Sequence, residues 1–181
     1  MIEYEKKIAQ QTLNILKKKS WSSFSLEQIL KNVKVKKTYI KTKFDLLKII
    51  SKYVDYQLIN KTKSLENSSS KDMLFEVLMA RFDILELNRK AFLEIYKILK
   101  KNPQHFIKLL PVFLESMIIT AELSKYKVNG FKGAIKLKGL MLIYFITFFQ
   151  WVEDKDSSLE KTMTALDKNL DQAEKFGKLL S

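Results

Sequence analysis

Apolar residues recur every three or four positions along most of the chain, which is the period of an α-helix and not the period of a half-buried strand. Ile8, Leu13, Ile15 and Leu16 form such a stripe and predict a first helix over about residues 2–18. The same pattern predicts longer helices over about residues 42–65, 71–87, 88–101, 103–125, 132–153 and 157–179.

The residues that interrupt helices are few and lie mostly between these segments. The 181 residues include only 4 glycines and 2 prolines, which favours long helices. Breaks are expected at Asn67-Ser68-Ser69-Ser70, at Asn102-Pro103 and at Asn129-Gly130. Pro111 lies inside a predicted helix and is expected to kink or split it, and Ser157-Ser158-Leu159-Glu160 predicts a capping box for the last helix. The sequence therefore predicts an all-α protein of about nine helices.

Residues 25–41 have the layout of a helix-turn-helix. Ser25 and Gln28 form a predicted capping box at the start of a short helix. That helix is expected to end at Asn32, because asparagine tolerates the left-handed conformation of a tight turn. A second short helix is predicted over about residues 36–41. Two short helices joined by a tight turn, the second rich in lysine, are typical of DNA-binding units.

Positive charge is concentrated at the same end of the chain. The net charge is +13, and residues 1–48 hold 12 lysines against Glu3, Glu5, Glu27 and Asp45, which gives +8 on about a quarter of the chain. This distribution is expected if the N-terminal end meets phosphates, although a lysine-rich solvated face is the alternative explanation. Residues 1–48 contain no arginine, the side chain best suited to bidentate recognition of guanine, so strong base specificity is not predicted.

Several classes of function are disfavoured by composition. The chain has no cysteine and a single histidine, His105, so neither a metal site nor a Ser–His pair is predicted. The carboxylates form no convergent pair and there is no glycine-rich phosphate loop, so neither an enzyme nor a bound cofactor is expected. Arg81 and Asp83 are expected to be a structural ion pair or surface charges. The N-terminus lacks an apolar leader, and the longest uncharged run, 139–152, is shorter than the ~20 residues of a membrane span. We therefore expect a cytoplasmic protein with no integral membrane segment.

The N-terminal residues resemble the TetR family of bacterial regulators. The resemblance rests on Phe24-Ser25-Leu26-Glu27-Gln28-Ile29, on Asn32-Val33 and on Thr42-Lys43-Phe44-Asp45-Leu46-Leu47. The stretch between Val33 and Lys43 is shorter than the family pattern. The resemblance implies a homodimer in which residues 1–48 bind double-stranded DNA and residues 49–181 form a ligand-binding and dimerisation domain. The candidates for DNA contact on this layout are Ser25, Lys34, Lys36, Lys37, Thr38, Tyr39, Lys41 and Lys43.

The C-terminal half resembles a subgroup of TetR-type proteins that shares this half with the lipid-binding accessory protein of ubiquinone biosynthesis. The motifs lie at 72–83, 151–157 and 162–167. The resemblance implies a cavity for an isoprenoid lipid on a TetR fold that does not serve DNA binding. Aromatic and methionine side chains could line a pocket for such an apolar ligand, or could be ordinary core. The pocket candidates are Met79, Phe82, Phe113, Met117, Tyr144, Phe148 and Trp151.

The helix predicted over residues 132–153 is apolar on every face around residues 140–146, so it has to be covered by its own bundle and by a partner. This predicts a homodimer through the last two helices. Packing of Leu166, Leu170 and Ala173 on a second copy would support that dimer, whereas a detachable amphipathic face would favour membrane delivery. Two functions stay open: a TetR-type transcriptional regulator that responds to an apolar small molecule, and a lipid-binding accessory protein of ubiquinone biosynthesis. The regulator is favoured.

Overall fold

The structure of the chain, a computed structural model, describes residues 1–34, 40–66 and 68–179, with the backbone alone for 176–179. This part of the chain consists of α-helices and one short 3₁₀ turn, Trp21–Ser23, with no strand. The predicted all-α class is confirmed. The eight helices are α1 (Glu3–Leu16), α2 (Leu26–Val33), α3 (Asp45–Lys61), α4 (Ser70–Glu86), α5 (Arg89–Lys101), α6 (Pro103–Leu123), α7 (Gly130–Glu153) and α8 (Glu160–Leu179).

Pro111 does not split its helix, so that half of the expectation was wrong, while the alternative, a kink, stays a prediction. α6 runs without interruption from Pro103 to Leu123 with Pro111 inside it. A proline inside a helix removes one hydrogen bond to the carbonyl four residues earlier, which here belongs to Ile107. Both residues lie on the exposed side of α6, where solvent can hydrogen-bond that carbonyl.

The chain divides into two compact units. The first comprises Met1–Gln57 and Ile84–Phe113, and the second comprises Leu58–Asp83 and Leu114–Ser181. In the first unit, α1 packs against α2 and α5. The face that α1 buries carries Ile8, Leu13 and Leu16, which is the stripe expected from the sequence. The functional division at residue 48 stays a prediction.

In the second unit, α7 is apolar on two opposite faces. One face is buried within the chain and carries Leu137, Leu140, Tyr144, Thr147 and Trp151. At ~100° per residue, a second set of apolar residues falls within about 80° on the opposite side of the helix. We call this set the outward face of α7; it consists of Phe131, Ile135, Leu142, Ile146 and Phe149, whose exposed fractions are 84%, 56%, 60%, 46% and 52%.

By length and composition, α7 could also cross a bilayer, and it is the one helix in the described residues that could do so. Its most apolar window has a mean hydropathy of 1.4, and 28% of that window is buried. The uncharged run read from the sequence was shorter because lysines near the start of α7 interrupt it. A core helix of a soluble protein meets the same criteria, so length and composition alone do not assign a membrane role.

Leu166 and Leu170 of α8 face inward. Leu166 and Leu170 are 0% and 5% exposed in the single chain, and α8 packs along α7. Their apolar surface is therefore already covered within the chain without a second copy, and whether α8 detaches to meet a membrane stays a prediction. Ala173, by contrast, is exposed. Periodicity identifies an apolar stripe but does not say what covers it.

The loop before α8 supplies the cap of this helix. The Asp154 carboxylate accepts hydrogen bonds from the Thr162 amide and hydroxyl, both at 2.9 Å, and from the Asp156 amide at 3.2 Å. The helix begins at Glu160 after Leu159, which is buried and has φ +59°. The predicted capping box at Ser157 is therefore wrong, because the helix starts too late for Ser157 to be its N-cap.

Because of this cap, we expect the free energy of unfolding to fall when the pH becomes acidic. Burial alone would raise the pKa of Asp154, but the hydrogen bonds from Thr162 and Asp156 outweigh it and hold the pKa below the ordinary 3.8. A depressed pKa adds stability above the unfolded-state value, and this stability is lost as the pH falls through the folded-state value. We expect Asp154→Ala to lower the free energy of unfolding by about 1–2 kcal/mol at pH 7, and by less below about pH 4.

Urea unfolding of the wild type, Asp154→Ala and Asp154→Asn at pH 7 and pH 3 measures this. Asparagine keeps one of the two acceptor oxygens, enough to accept from Thr162, but cannot ionise, so Asp154→Asn should lack this residue's share of the acid sensitivity. An identical loss of stability between pH 7 and pH 3 in wild type and Asp154→Asn would rule out this carboxylate as the source.

Candidate nucleic-acid interface and ligand-binding residues

The capping box at the start of α2 forms as the sequence predicts. The Ser25 hydroxyl accepts a hydrogen bond from the Gln28 amide at 3.3 Å, and the Ser25 amide donates to Gln28 Oε1 at 3.1 Å. Both residues are exposed, while Leu26, Ile29 and Leu30 are buried. The box gives the first helix of the predicted helix-turn-helix a defined start and leaves the Ser25 side chain at the surface.

The left-handed turn after α2 falls at Lys34 and not at Asn32. α2 continues through Asn32 to Val33, and Lys34 has φ +57° with its amide directed to the carbonyls of Leu30 and Lys31. A side chain in this conformation costs about 1 kcal/mol, so the turn is held by its surroundings. The preference of asparagine for the left-handed conformation is small, so it did not end the helix at Asn32. The turn falls at Lys34 because the Lys34 amide can donate to the carbonyls of Leu30 and Lys31 in the preceding turn. The Lys34 side chain is exposed.

The predicted second helix over residues 36–41 falls mostly outside the described residues. Lys36, Lys37, Thr38 and Tyr39 all lie in the segment 35–39 that the structure does not describe. The chain is described again from Ile40, which is 1% exposed, and Lys41 beside it is exposed. The role of these four residues in DNA contact stays a prediction.

The start of α3 is capped from the segment that leads into it. The Thr42 amide and hydroxyl donate to Asp45 Oδ2 at 3.0 and 2.9 Å, and Lys48 donates to the other oxygen at 3.0 Å. Burial raises the pKa of Asp45, but the bonds from Lys48 and Thr42 outweigh it and lower the pKa below 3.8. The Thr-Lys-Phe-Asp motif therefore has a local structural role at the N-terminus of α3.

Lys43 ties the start of α3 to the start of α2. Its ammonium group donates to the backbone carbonyl oxygens of Trp21 and Phe24. It also lies over both rings, 4.9 Å from the centre of Trp21 and 3.8 Å from that of Phe24. Burial lowers the pKa of Lys43 below 10.5. Lys43, a predicted DNA contact, therefore also has a structural role that the sequence analysis did not predict. The signal that could have indicated it is the pair of aromatic residues on either side of the serines in the connector, Trp21 and Phe24.

The candidate ligand-binding residues divide between the two units. In the second unit the rings of Phe82 and Tyr144 stack at 5.6 Å, and Phe148 lies 6.3 Å from Tyr144 and 5.4 Å from Trp151. Met117 is buried and Met79 is half-buried in the same unit. Phe113 belongs to the first unit, where it contacts Phe106 at 6.0 Å. The structure thus joins four of the seven candidates into one aromatic row, and their role in ligand binding stays a prediction.

Arg81 lies beside this row and does not pair with Asp83. Arg81 is 3% exposed, and its guanidinium donates to the hydroxyls of Ser116 at 2.8 Å and Thr120 at 3.0 Å, 5.8 Å from the ring of Tyr144. Asp83 instead forms an ion pair with Lys61 at 2.6 Å. The expected ion pair is wrong because residues two apart on a helix point in different directions.

The lone histidine lies at the start of α6. The rings of His105 and Phe44 are 5.3 Å apart, and His105 Nδ1 is buried without a hydrogen-bond partner in the described residues. His105 therefore contacts the residue that directly precedes α3.

The fold is similar to that of a solved bacterial regulator. A crystal structure of the TetR transcriptional regulator from Nitrosomonas europaea superimposes with a TM-score of 0.73 and 18% sequence identity, covering 94% of this chain and 97% of that one. No protein-family model and no curated protein matches the chain. At this identity the likeness establishes the architecture, which is the one that the sequence resemblance implied. The chain therefore has the TetR fold.

Proposed function

We propose that this protein is a homodimeric, TetR-type DNA-binding transcriptional regulator that responds to an apolar small molecule. The observation that carries the proposal is the near-complete structural match to a protein described as a TetR transcriptional regulator. An 18% identity leaves the activity to be tested, since one fold serves many functions. The cytoplasm, where the DNA is, is the corresponding location.

The N-terminal geometry supports binding of double-stranded DNA. α2 begins at a formed capping box and ends in a left-handed turn at the exposed Lys34. The residues that follow carry Lys36, Lys37 and Lys41, while Lys43 anchors the next helix. Lysines that neutralise phosphates release counterions and so favour association. Without arginine in residues 1–48, base recognition would fall to Thr38, Tyr39 and DNA shape.

Selection of genomic DNA fragments by the purified protein at near-physiological salt tests this proposal. The variant Lys34→Ala/Lys36→Ala/Lys37→Ala removes three lysines next to the turn and leaves Lys43 in place. The matched control Lys132→Ala/Lys155→Ala/Lys168→Ala removes the same charge from exposed positions in the second unit. We expect a few palindromic fragments to be enriched by the wild type and the control, and lost in the first variant.

Equal retention of all fragments, fading steeply with added salt, would show that charge alone is at work and would overturn the regulator proposal. If the Lys34→Ala/Lys36→Ala/Lys37→Ala variant and the control enriched the same fragments to the same extent, the DNA would bind away from the predicted helix-turn-helix.

The outward face of α7 supports the homodimer. Five large apolar side chains share one side of this helix and are about half exposed or more in the single chain. Soluble monomers rarely expose this many large apolar side chains on one side of a helix, whereas helix-to-helix dimers bury them; among the five lies one charged residue, the exposed Lys138. We expect Leu142→Glu/Ile146→Glu to weaken self-association at least about 100-fold, because two buried carboxylates would face their copies. Sedimentation velocity over a concentration series measures this.

The control for the dimer is Leu87→Glu/Ile107→Glu, which places the same charges at exposed apolar positions outside α7. It should leave the oligomeric state unchanged. A monomeric wild type at the concentrations that bind DNA, or a variant that dimerises as well as the wild type, would contradict the α7 interface.

The aromatic row of the second unit favours a second candidate, a lipid-binding accessory protein of ubiquinone biosynthesis. Phe82, Tyr144, Phe148 and Trp151 form a continuous run of ring contacts, and an isoprenoid chain would lie along it only if the run opened, because Phe82 and Trp151 are 0% exposed. Solvent extraction of the protein purified from its host, followed by mass spectrometry, distinguishes the candidates. A stoichiometric isoprenoid lipid together with no selected DNA fragment would favour this function over the regulator.

A further inference from the structure

A cleft of about 470 Å³ lies between the second half of α1 and α2, and none of the residues predicted for DNA contact lines it. We call it the α1–α2 cleft. It belongs to the first unit, and all of its lining lies in the described part of the chain. The lining residues are Gln11, Asn14, Ile15, Lys18, Lys19, Phe24, Gln28, Lys31 and Asn32.

The chemistry of this lining suits a phosphodiester. Three lysines and four side-chain amides surround the cleft, and no carboxylate is among the lining residues. Lys18, Lys19 and Lys31 are exposed, and within the described residues no ion pair joins them to an acidic side chain. Ammonium groups bind phosphate oxygens, and side-chain amides hydrogen-bond to phosphate and sugar oxygens.

Compensation of helix dipoles explains only part of this arrangement. Lys18, Lys19 and Lys31 follow or end α1 and α2, where a positive charge offsets the negative end of the helix. That effect needs no concave surface and no amides. Gln11 and Asn14 lie within α1 and carry no charge, so dipole compensation does not account for them.

The cleft is continuous with the predicted DNA-contacting segment. Asn32 at its edge precedes Lys34 by two residues, a span of at most about 7 Å. Phe24, which forms part of its wall, is the ring that holds the Lys43 ammonium at 3.8 Å. Double-stranded DNA carries one charge per about 1.7 Å of its axis, so a duplex bound at Lys34 presents several phosphates over the distance between Lys34 and Asn32.

We infer that the α1–α2 cleft binds the sugar–phosphate backbone of double-stranded DNA beside the site reached by the helix-turn-helix. This inference rests on the proposed function, since it names a further part of the same DNA-binding surface. The cleft positions the duplex and adds affinity without adding base specificity, because it touches backbone only.

The test is the dependence of DNA affinity on salt. The wild type, Lys18→Ala/Lys19→Ala/Lys31→Ala and the control Lys132→Ala/Lys155→Ala/Lys168→Ala are titrated with one selected fragment and with a random duplex between 50 and 300 mM potassium chloride. Each phosphate-binding lysine contributes about one to the slope of log affinity against log salt. We expect the cleft variant to lose about two to three from that slope, and about tenfold to 100-fold in affinity at physiological salt, on both duplexes equally. The control should keep the wild-type slope.

The possible outcomes separate the two proposals. If the wild type binds the selected fragment and the cleft variant keeps its slope within about half a unit, the cleft inference is overturned and the regulator stands. If binding is sequence-independent but the cleft variant loses slope, the cleft stands and the regulator falls. A wild type that binds neither duplex overturns both. Circular dichroism and thermal unfolding of the variants verify that each is folded.

Discussion

Replacing Gly133 by alanine is expected to destabilise the protein by about 2–4 kcal/mol, although the same change in an exposed helix interior would normally stabilise it. Gly133 lies in the first turn of α7, where the preceding loop passes directly over it. A Cβ atom at this position would lie 2.0 Å from the carbonyl carbon of Val128 and 2.2 Å from its oxygen. Backbone atoms cannot turn aside as a side chain can, so the loop or the helix start has to move.

Gly139 provides the control in the same helix. A Cβ atom there would meet nothing within 4 Å, so Gly139→Ala should stabilise the single chain by about 0.5–1 kcal/mol. Urea unfolding of both variants at low protein concentration measures the two effects. If Gly133→Ala were neutral or stabilising, the close passage of Val128 over α7 would be wrong. A Gly139→Ala variant that loses stability only as a dimer would indicate a partner helix near this position.

Truncating Arg81 to alanine is expected to destabilise the protein by about 3–4 kcal/mol, while Arg81→Met should cost only about 1 kcal/mol. Arg81 is 3% exposed, so its side chain fills interior space, and its guanidinium lies 5.8 Å from the centre of the Tyr144 ring. Alanine leaves a cavity there. Methionine fills most of that volume and spares the protein the desolvation of a buried charge, so it recovers most of the loss.

The partners of Arg81 give the complementary variant. In Ser116→Ala/Thr120→Val the guanidinium keeps its charge but loses the two hydroxyl acceptors at 2.8 and 3.0 Å. Leaving buried donors unsatisfied costs about 1–3 kcal/mol each, so this variant should be less stable than Arg81→Met. Calorimetry of the three variants measures their free energies of unfolding, and Arg81→Met is expected to be the most stable of them. If Arg81→Met were as unstable as Arg81→Ala, the hydrogen bonds and not the packing would account for the stability that Arg81 contributes.

Features that depend on neighbouring residues could be predicted from the sequence. The spacing of apolar residues and the scarcity of glycine and proline predicted helices close to those observed. The ends of α5 and α6 lie within two residues of their predicted positions. The capping box of Ser25 and Gln28 formed as predicted, because its two hydrogen bonds join residues only three apart. The concentration of lysines in residues 1–48 was likewise visible in the sequence.

Contacts between distant residues could not be predicted in this way. Lys43 was a candidate for phosphate contact, but its binding to the carbonyls of Trp21 and Phe24 depends on where the chain returns after residue 40. Arg81 found its partners 35 and 39 residues away in α6, and not in nearby Asp83. The α1–α2 cleft unites residues from two helices that the sequence presents as separate stripes.

Local periodicity, capping and charge act over a few residues, so the helical class, most helix limits, the start of α2 and the basic character of the N-terminal end could all be predicted from the sequence. Which faces are covered depends on the tertiary structure. α7 is apolar on two sides, and the fold buries Tyr144 and Trp151 while leaving Leu142 and Ile146 outward. It likewise turned Leu166 and Leu170 of α8 inward. A periodic stripe records that a surface has to be buried, whereas the element that buries it is set by packing across the whole chain.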